Sequence, residues 1–134
     1  MAPMEEEKLQ KAKADFEKWL DQWFVVGIEI KRCASNPDYH CPICMHLEGR
    51  YPKTFFFPGG WHEGCKCIAE SILAPARVIE EMNEYDLGIK KKPPFIRYYQ
   101  LIPRNVLSYV QRNFQTCSQT IWYQANRKFF RPQH

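Results

Sequence analysis

Leu9, Ala12, Phe16, Trp19, Leu20 and Trp23 recur at spacings of three and four with charged residues between them, which predicts an amphipathic helix over about residues 5–23. Two tryptophans on one stripe are costly to leave in water, so that face packs on another surface, much of it supplied in an assembly. The next segment, Phe24-Val25-Val26-Gly27-Ile28-Glu29-Ile30, is rich in β-branched residues and lacks helical spacing, and it predicts a strand. A second strand is predicted over Lys66–Leu73. Antiparallel pairing of the two brings together both ends of the intervening cysteine-rich segment, whose stretch Glu48–Lys53 reads as a turn-rich loop. Pro75 suits a first helical turn, Val78, Ile79, Met82 and Tyr85 form a stripe, and Gly88 suits a helix end, so residues 76–86 are predicted helical. Lys90-Lys91-Lys92-Pro93-Pro94 reads as a solvated, stiff linker. Beyond Pro103, apolar positions at Val106, Leu107, Val110, Phe114, Cys117, Ile121 and Ala125 predict one long helix, or two with a break near Ser118, ending before Pro132.

These elements define an α+β class with a small antiparallel sheet and a zinc knuckle, flanked by N-terminal and C-terminal amphipathic helices. One domain spans residues 1–134, organised as a helix over 1–23, a central module over 24–88 and a basic, aromatic helical arm over 89–134.

Composition narrows the class. Hydrophobic residues at 45% and aromatics at 15% exclude a disordered chain, and the longest apolar runs are only a few residues, so no membrane span is expected. The N-terminal stretch is acidic and amphipathic, unlike a secretory signal, which sets the expectation of a reducing cytoplasm. In that setting six cysteines read as metal ligands or buried thiols rather than a disulfide framework. Cys33 and Cys117 stand outside the central cluster and read as small buried apolar residues.

That cluster reads Cys41-Pro42-Ile43-Cys44, followed after seventeen residues by His62-Glu63-Gly64-Cys65-Lys66-Cys67. Two thiolates spaced C-x-x-C on a tight turn can face one ion, with Pro42 restricting the backbone. His62 and Cys65 repeat the two-residue gap, and Cys65 and Cys67 fall on one side of a strand. Five candidate ligands, Cys41, Cys44, His62, Cys65 and Cys67, therefore compete for the four positions of a single structural Zn2+. His40 and His46 flank the first pair and read as partly exposed neighbours, and Asp38, Glu48 and Glu63 as solvated carboxylates. A redox dithiol requires the C-x-x-C at a helix start after a strand, which the expected loop does not supply. A zinc deaminase needs H-x-E ahead of its cysteine pair, whereas His62-Glu63 is adjacent and comes after it. A zincin needs H-E-x-x-H, and position 66 is Lys. The chain carries no nucleophile elbow, phosphate loop or dinucleotide fingerprint, so no catalytic residues are assigned and no enzymatic activity is expected; an enzyme with an open zinc site is the last of the readings.

FVVGIEI, the C-x-x-C pair, Leu47-Glu48-Gly49-Arg50-Tyr51-Pro52-Lys53, the Phe55-Phe56-Phe57 run and Gly60-Trp61-His62-Glu63-Gly64-Cys65-Lys66-Cys67 resemble the phage Mu F-like minor head protein family, also called phage head morphogenesis proteins. The resemblance covers about residues 20–75. It departs at Glu63 and Lys66, where the family's half-site has Pro and Arg, and in size, since family members carry this module at the end of a longer chain. What it implies is a virion component near the portal and inner capsid, acting in head assembly or DNA packaging without a catalytic step. Its partners would be portal, capsid or tail proteins in a symmetric multi-copy assembly, and its location the virion, or the host cytoplasm during assembly.

Charge adds a second expectation. Residues 1–30 hold seven acidic and four basic side chains, whereas residues 93–134 hold six basic and none acidic. Arg97, Arg104, Arg112, Arg127, Lys128 and Arg131 interleave with aromatic rings, a composition suited to packaged DNA or to an acidic protein surface. The same arm sustains the alternative of a small zinc-dependent nucleic-acid-binding regulator.

Overall fold

The β-branched run becomes β1 (Val25–Arg32), the central strand of a three-stranded antiparallel sheet in the computed structural model, which describes residues 3–32, 42–62 and 64–130. On one side β1 pairs with β3 (Cys67–Leu73), in the antiparallel arrangement the sequence predicts, with Ile28 opposite Ser71, Ile30 opposite Ala69 and Arg32 opposite Cys67. On the other side it pairs with β2 (Gly49–Tyr51), with Ile28 opposite Tyr51 and Ile30 opposite Gly49. The turn-rich loop expected over Glu48–Lys53 is thus a short strand, held by a ladder that three residues without alternation do not announce. The small sheet with flanking helices is the α+β class expected.

The sheet is covered on both faces because β1 changes its pattern along its length. A bulge between Val25 and Gly27 puts Val26 in one apolar cluster, with Ala74 and Val78, while Ile28 and Ile30 belong to another. Gly27 sits where a Cβ would approach the Tyr99 ring to 2.6 Å and the Tyr51 carbonyl to 2.9 Å, so the bulged strand accepts its neighbours only without a side chain there.

Helix α1 (Pro3–Asp21) matches the predicted stripe: Phe16 meets Phe56 edge-on at 5.3 Å and Trp19 packs against the larger cluster. The C-x-x-C segment continues into a helix, α2 (Pro42–Leu47), rather than a tight turn, with Cys44 in its first turn. Helix α3 (Ala76–Asp86) follows Pro75 as predicted, and Gly88, at φ +81°, closes it: Gly88 N–H donates to Tyr85 O and Ile89 N–H to Glu84 O. The helical run after Pro103 is broken twice. Helix α4 (Arg104–Arg112) ends at Asn113, whose side chain donates to Tyr109 O, and α5 (Phe114–Cys117) follows. After a turn at residues 118–120, Thr120 caps α6 (Ile121–Ala125) by accepting from Tyr123 N–H, and a 3₁₀ turn spans Arg127–Phe129.

These C-terminal helices do not stand away from the module. Val106, Val110, Cys117, Trp122 and Tyr123 are buried in the same cluster as Ile28, Tyr51, Phe55 and Trp61. Trp122 meets Trp61 edge-on at 5.0 Å while its Nε1 donates to Trp61 O at 3.1 Å. The stretch after the linker is tied down as well: Tyr99 N–H donates to Val26 O and Tyr98 Oη to Trp23 O. Lys53 lies over the Tyr98 ring and donates to Gln22 O, and burial pushes its ammonium pKa down. No helix among the described residues is long and apolar enough to cross a membrane.

Among the described residues, Asn126 is the fully buried polar side chain, and it fastens the end of α6 to the loop at Phe56. Its Oδ1 accepts from Phe56 N–H, and its Nδ2 donates to Phe56 O and Trp122 O, all at 2.7 Å. Asn126→Ala leaves these buried groups unpaired and is expected to lower stability by about 2–4 kcal/mol in denaturant unfolding. Gln124→Ala, at an exposed position two residues away, should change it by less than about 0.5 kcal/mol.

Candidate metal centre

Because Arg32 stands opposite Cys67, the chain leaving β1 and the chain entering β3 are neighbours, and residues 33–66 form an excursion from that junction. Its return limb folds tightly, with Cys65 N–H donating to His62 O, and delivers His62, Cys65 and Cys67 in succession. The first turn of α2 brings Cys44 to meet them. From outside the segment, Lys8 of α1 donates to Cys65 O at 3.1 Å, a support that a lysine among many charged helix positions gives no means of foreseeing.

The sulfurs of Cys44, Cys65 and Cys67 all lie within 4.8 Å of one another, and they form the one group of this kind among the described residues. Cys44 Sγ is 3.6 Å from Cys65 Sγ and 3.5 Å from His62 Nε2. A tetrahedral zinc ion with its usual bond lengths sets sulfur–sulfur edges of about 3.8 Å and sulfur–nitrogen edges of about 3.5 Å, so both contacts suit ligands of one ion. The three cysteines are 0%, 1% and 5% exposed. Three thiols in mutual contact cannot all be satisfied by one disulfide, and they are reduced. The grouping could therefore hold a buried cation.

Hydrogen bonding already favours an anion here. The Cys67 thiol and backbone N–H donate toward Cys65, which lowers the Cys65 thiol pKa well below its ordinary value against the opposing effect of burial. The same thiol–thiol bond, reinforced by burial, raises Cys67. A thiolate in this group is the form that a metal takes.

Of the five predicted ligands, Cys44, Cys65 and Cys67 come together, His62 joins them at Cys44, and Cys41 lies outside the described residues, as do Cys33, Asp38, His40 and Glu63. His46 is exposed and stacks on Tyr109 at 4.9 Å, while Glu48 pairs with Arg32, so neither faces the sulfurs as a ligand would. Cys117 is a buried thiol away from the group, as expected, and burial raises its pKa. The helix at Cys44 is the arrangement a redox dithiol would also use, but a thiol with 0% exposure is poorly placed to attack a disulfide partner.

Fold and site together define a small α+β module built around a buried cysteine group able to hold a metal ion. No family model matches the chain, and no curated protein or solved structure matches it significantly.

The site is tested by titrating zinc, and cobalt(II) as a coloured substitute, into the protein freed of metal. One equivalent is expected to bind, with thiolate-to-cobalt absorption. Cys44→Ser, Cys65→Ser and Cys67→Ser should each abolish tight binding and destabilise the fold, whereas Cys117→Ser keeps both stoichiometry and affinity. Since protons compete with the ion for the sulfurs, affinity is held at neutral pH and lost as pH falls. Retention of metal in acid, or equal effects of Cys44→Ser and Cys117→Ser, would contradict the assignment.

Proposed function

We propose that the chain is a non-enzymatic structural protein of a phage particle, of the minor head or head-morphogenesis type, and that its metal is a single structural zinc ion. The supporting observation is that the two half-sites quoted in the resemblance fold onto each other: His62, Cys65 and Cys67 of the second meet Cys44 of the first. A ligand set of Cys44, His62, Cys65 and Cys67 would fill a tetrahedron and leave no position open for water, the mark of a structural rather than a catalytic zinc. The ion's role in this reading is to tie α2 and the return limb to the start of β3, contributing on the order of 10–16 kcal/mol of binding free energy to the folded state.

The partners in this reading are portal, capsid or tail proteins, with the chain present in several symmetric copies. Arg97, Arg104, Arg112, Arg127 and Lys128 are all exposed, on segments whose apolar sides face the core, so their charges are available to packaged DNA or to an acidic subunit. The same exposure supports the second reading, a nucleic-acid-binding regulator.

Proteomic analysis of purified particles from the genome that encodes the chain separates the two. The structural reading expects the protein in the particle at a fixed copy ratio to the portal, and expects Cys65→Ser to abolish incorporation. Its absence from particles, together with tight binding of the free protein to short DNA that weakens steeply with salt, would favour the regulator instead. His62→Ala removes a ligand and is expected to weaken zinc binding by more than the roughly 10- to 100-fold lost when a group that only supports a ligand is removed.

A further inference from the structure

On the face of the sheet away from the sulfurs, the extended segment after the linker and the loop leading to α3 enclose an open groove of about 1010 Å³. Its floor is apolar, formed by Val26, Ile72 and Val78. Its walls present apolar side chains to water: Leu73 is 55% exposed, Phe95 81% and Leu101 82%. Its cations are Arg50, Arg77 and Arg97, and no acidic residue lines it. Arg50 is engaged, lying 3.7 Å from Glu29 and donating to Tyr99 Oη, but Arg77 and Arg97 form no ion pair among the described residues.

We propose that this groove is a docking site for an acidic peptide segment carrying apolar side chains, supplied by a partner protein. Charge complementarity selects the occupant: carboxylates would meet Arg77 and Arg97 while apolar side chains covered Leu73, Phe95 and Leu101. A single-stranded nucleic acid would also satisfy the arginines, but it binds by stacking on exposed rings. Here the Tyr98 and Tyr99 rings are half-buried with their hydroxyls bonded, and two of the three exposed apolar walls are aliphatic. The groove lies apart from the cysteine group, and the proposal depends on neither the metal nor the phage assignment.

The test is selection of a random displayed peptide library on the immobilised full chain, followed by affinity measurements on the recovered peptides. They are expected to combine Asp or Glu with Leu, Ile or Phe. Their binding should weaken at least about tenfold for Arg77→Glu/Arg97→Glu, a loss of about 1.4 kcal/mol. It should weaken comparably for Phe95→Ala/Leu101→Ala. Reversal of two exposed cations off the groove, Lys13→Glu/Lys18→Glu on α1, should change it less than about threefold, since salt screens distant surface charges. All six positions are exposed, and far-UV circular dichroism checks that each variant stays folded. Recovery of no peptide, peptides without acidic bias, equal losses from both charge reversals, or tighter binding of a dT20 oligonucleotide with the same dependence on Arg77 and Arg97 would each overturn the proposal.

Discussion

Arg32 opposite Cys67 is the contact on which the rest of the molecule depends. It closes residues 33–66 into one excursion from the sheet, and closing a loop of that length costs about 3 kcal/mol of chain entropy beyond a constant term. The ladder repays part of this through the remaining pairs of β1 with β3. Cross-strand charges at Lys31–Glu70 and, toward β2, at Glu29–Arg50 add little, because both pairs are exposed. What the closure achieves is placement: it starts β3 at Cys67 and puts Cys65, one alternation earlier, beside the first turn of α2. A metal at the three sulfurs would bind the two limbs at the point where the loop entropy is paid.

Burial around that junction comes from aromatic residues distant in sequence. Tyr51, Phe55, Phe57 and Trp61 lie within the excursion and its approach to β3, yet the ring that covers Trp61 is Trp122. Phe129 and Phe130 then close over Phe55, and Asn126 bonds across to Phe56. The C-terminal helices are therefore the lid of the core that also holds Cys44, Cys65 and Cys67, and their cations face outward because their apolar residues are already committed inward. The segment that reads by charge as a basic arm packs, through its apolar side chains, into the same core.

Where periodicity and side-chain chemistry agree, the sequence is readable. β1, β3, α1 and α3 follow directly from apolar spacing and from Pro75 and Gly88, and the cysteine group follows from two short spacings joined by the expected strand pairing. The misreadings share one cause, the dominance of a distant partner over local pattern. Gly49-Arg50-Tyr51 is a strand only because β1 offers it a ladder. The helix at Cys44 is short, and its packing against β1 and α4 is not encoded in six residues. The role of Asn126 depends on a loop some seventy positions earlier. None of these leaves a trace in a window of neighbouring residues.

The bulge near Val26 gives one strand two functions. Beyond it, Ile28 and Ile30 contribute to the core that surrounds the sulfurs, whereas Val26 itself floors the arginine-rimmed groove. Gly27 stands between them, where the Tyr51 carbonyl from β2 and the Tyr99 ring from the extended segment converge on a position with no room for a Cβ. Tyr51 and Tyr99 thus register the two halves against the same residue: Tyr51 belongs to the core and donates its hydroxyl to Leu47 O at the end of α2, and Tyr99 forms the wall of the groove.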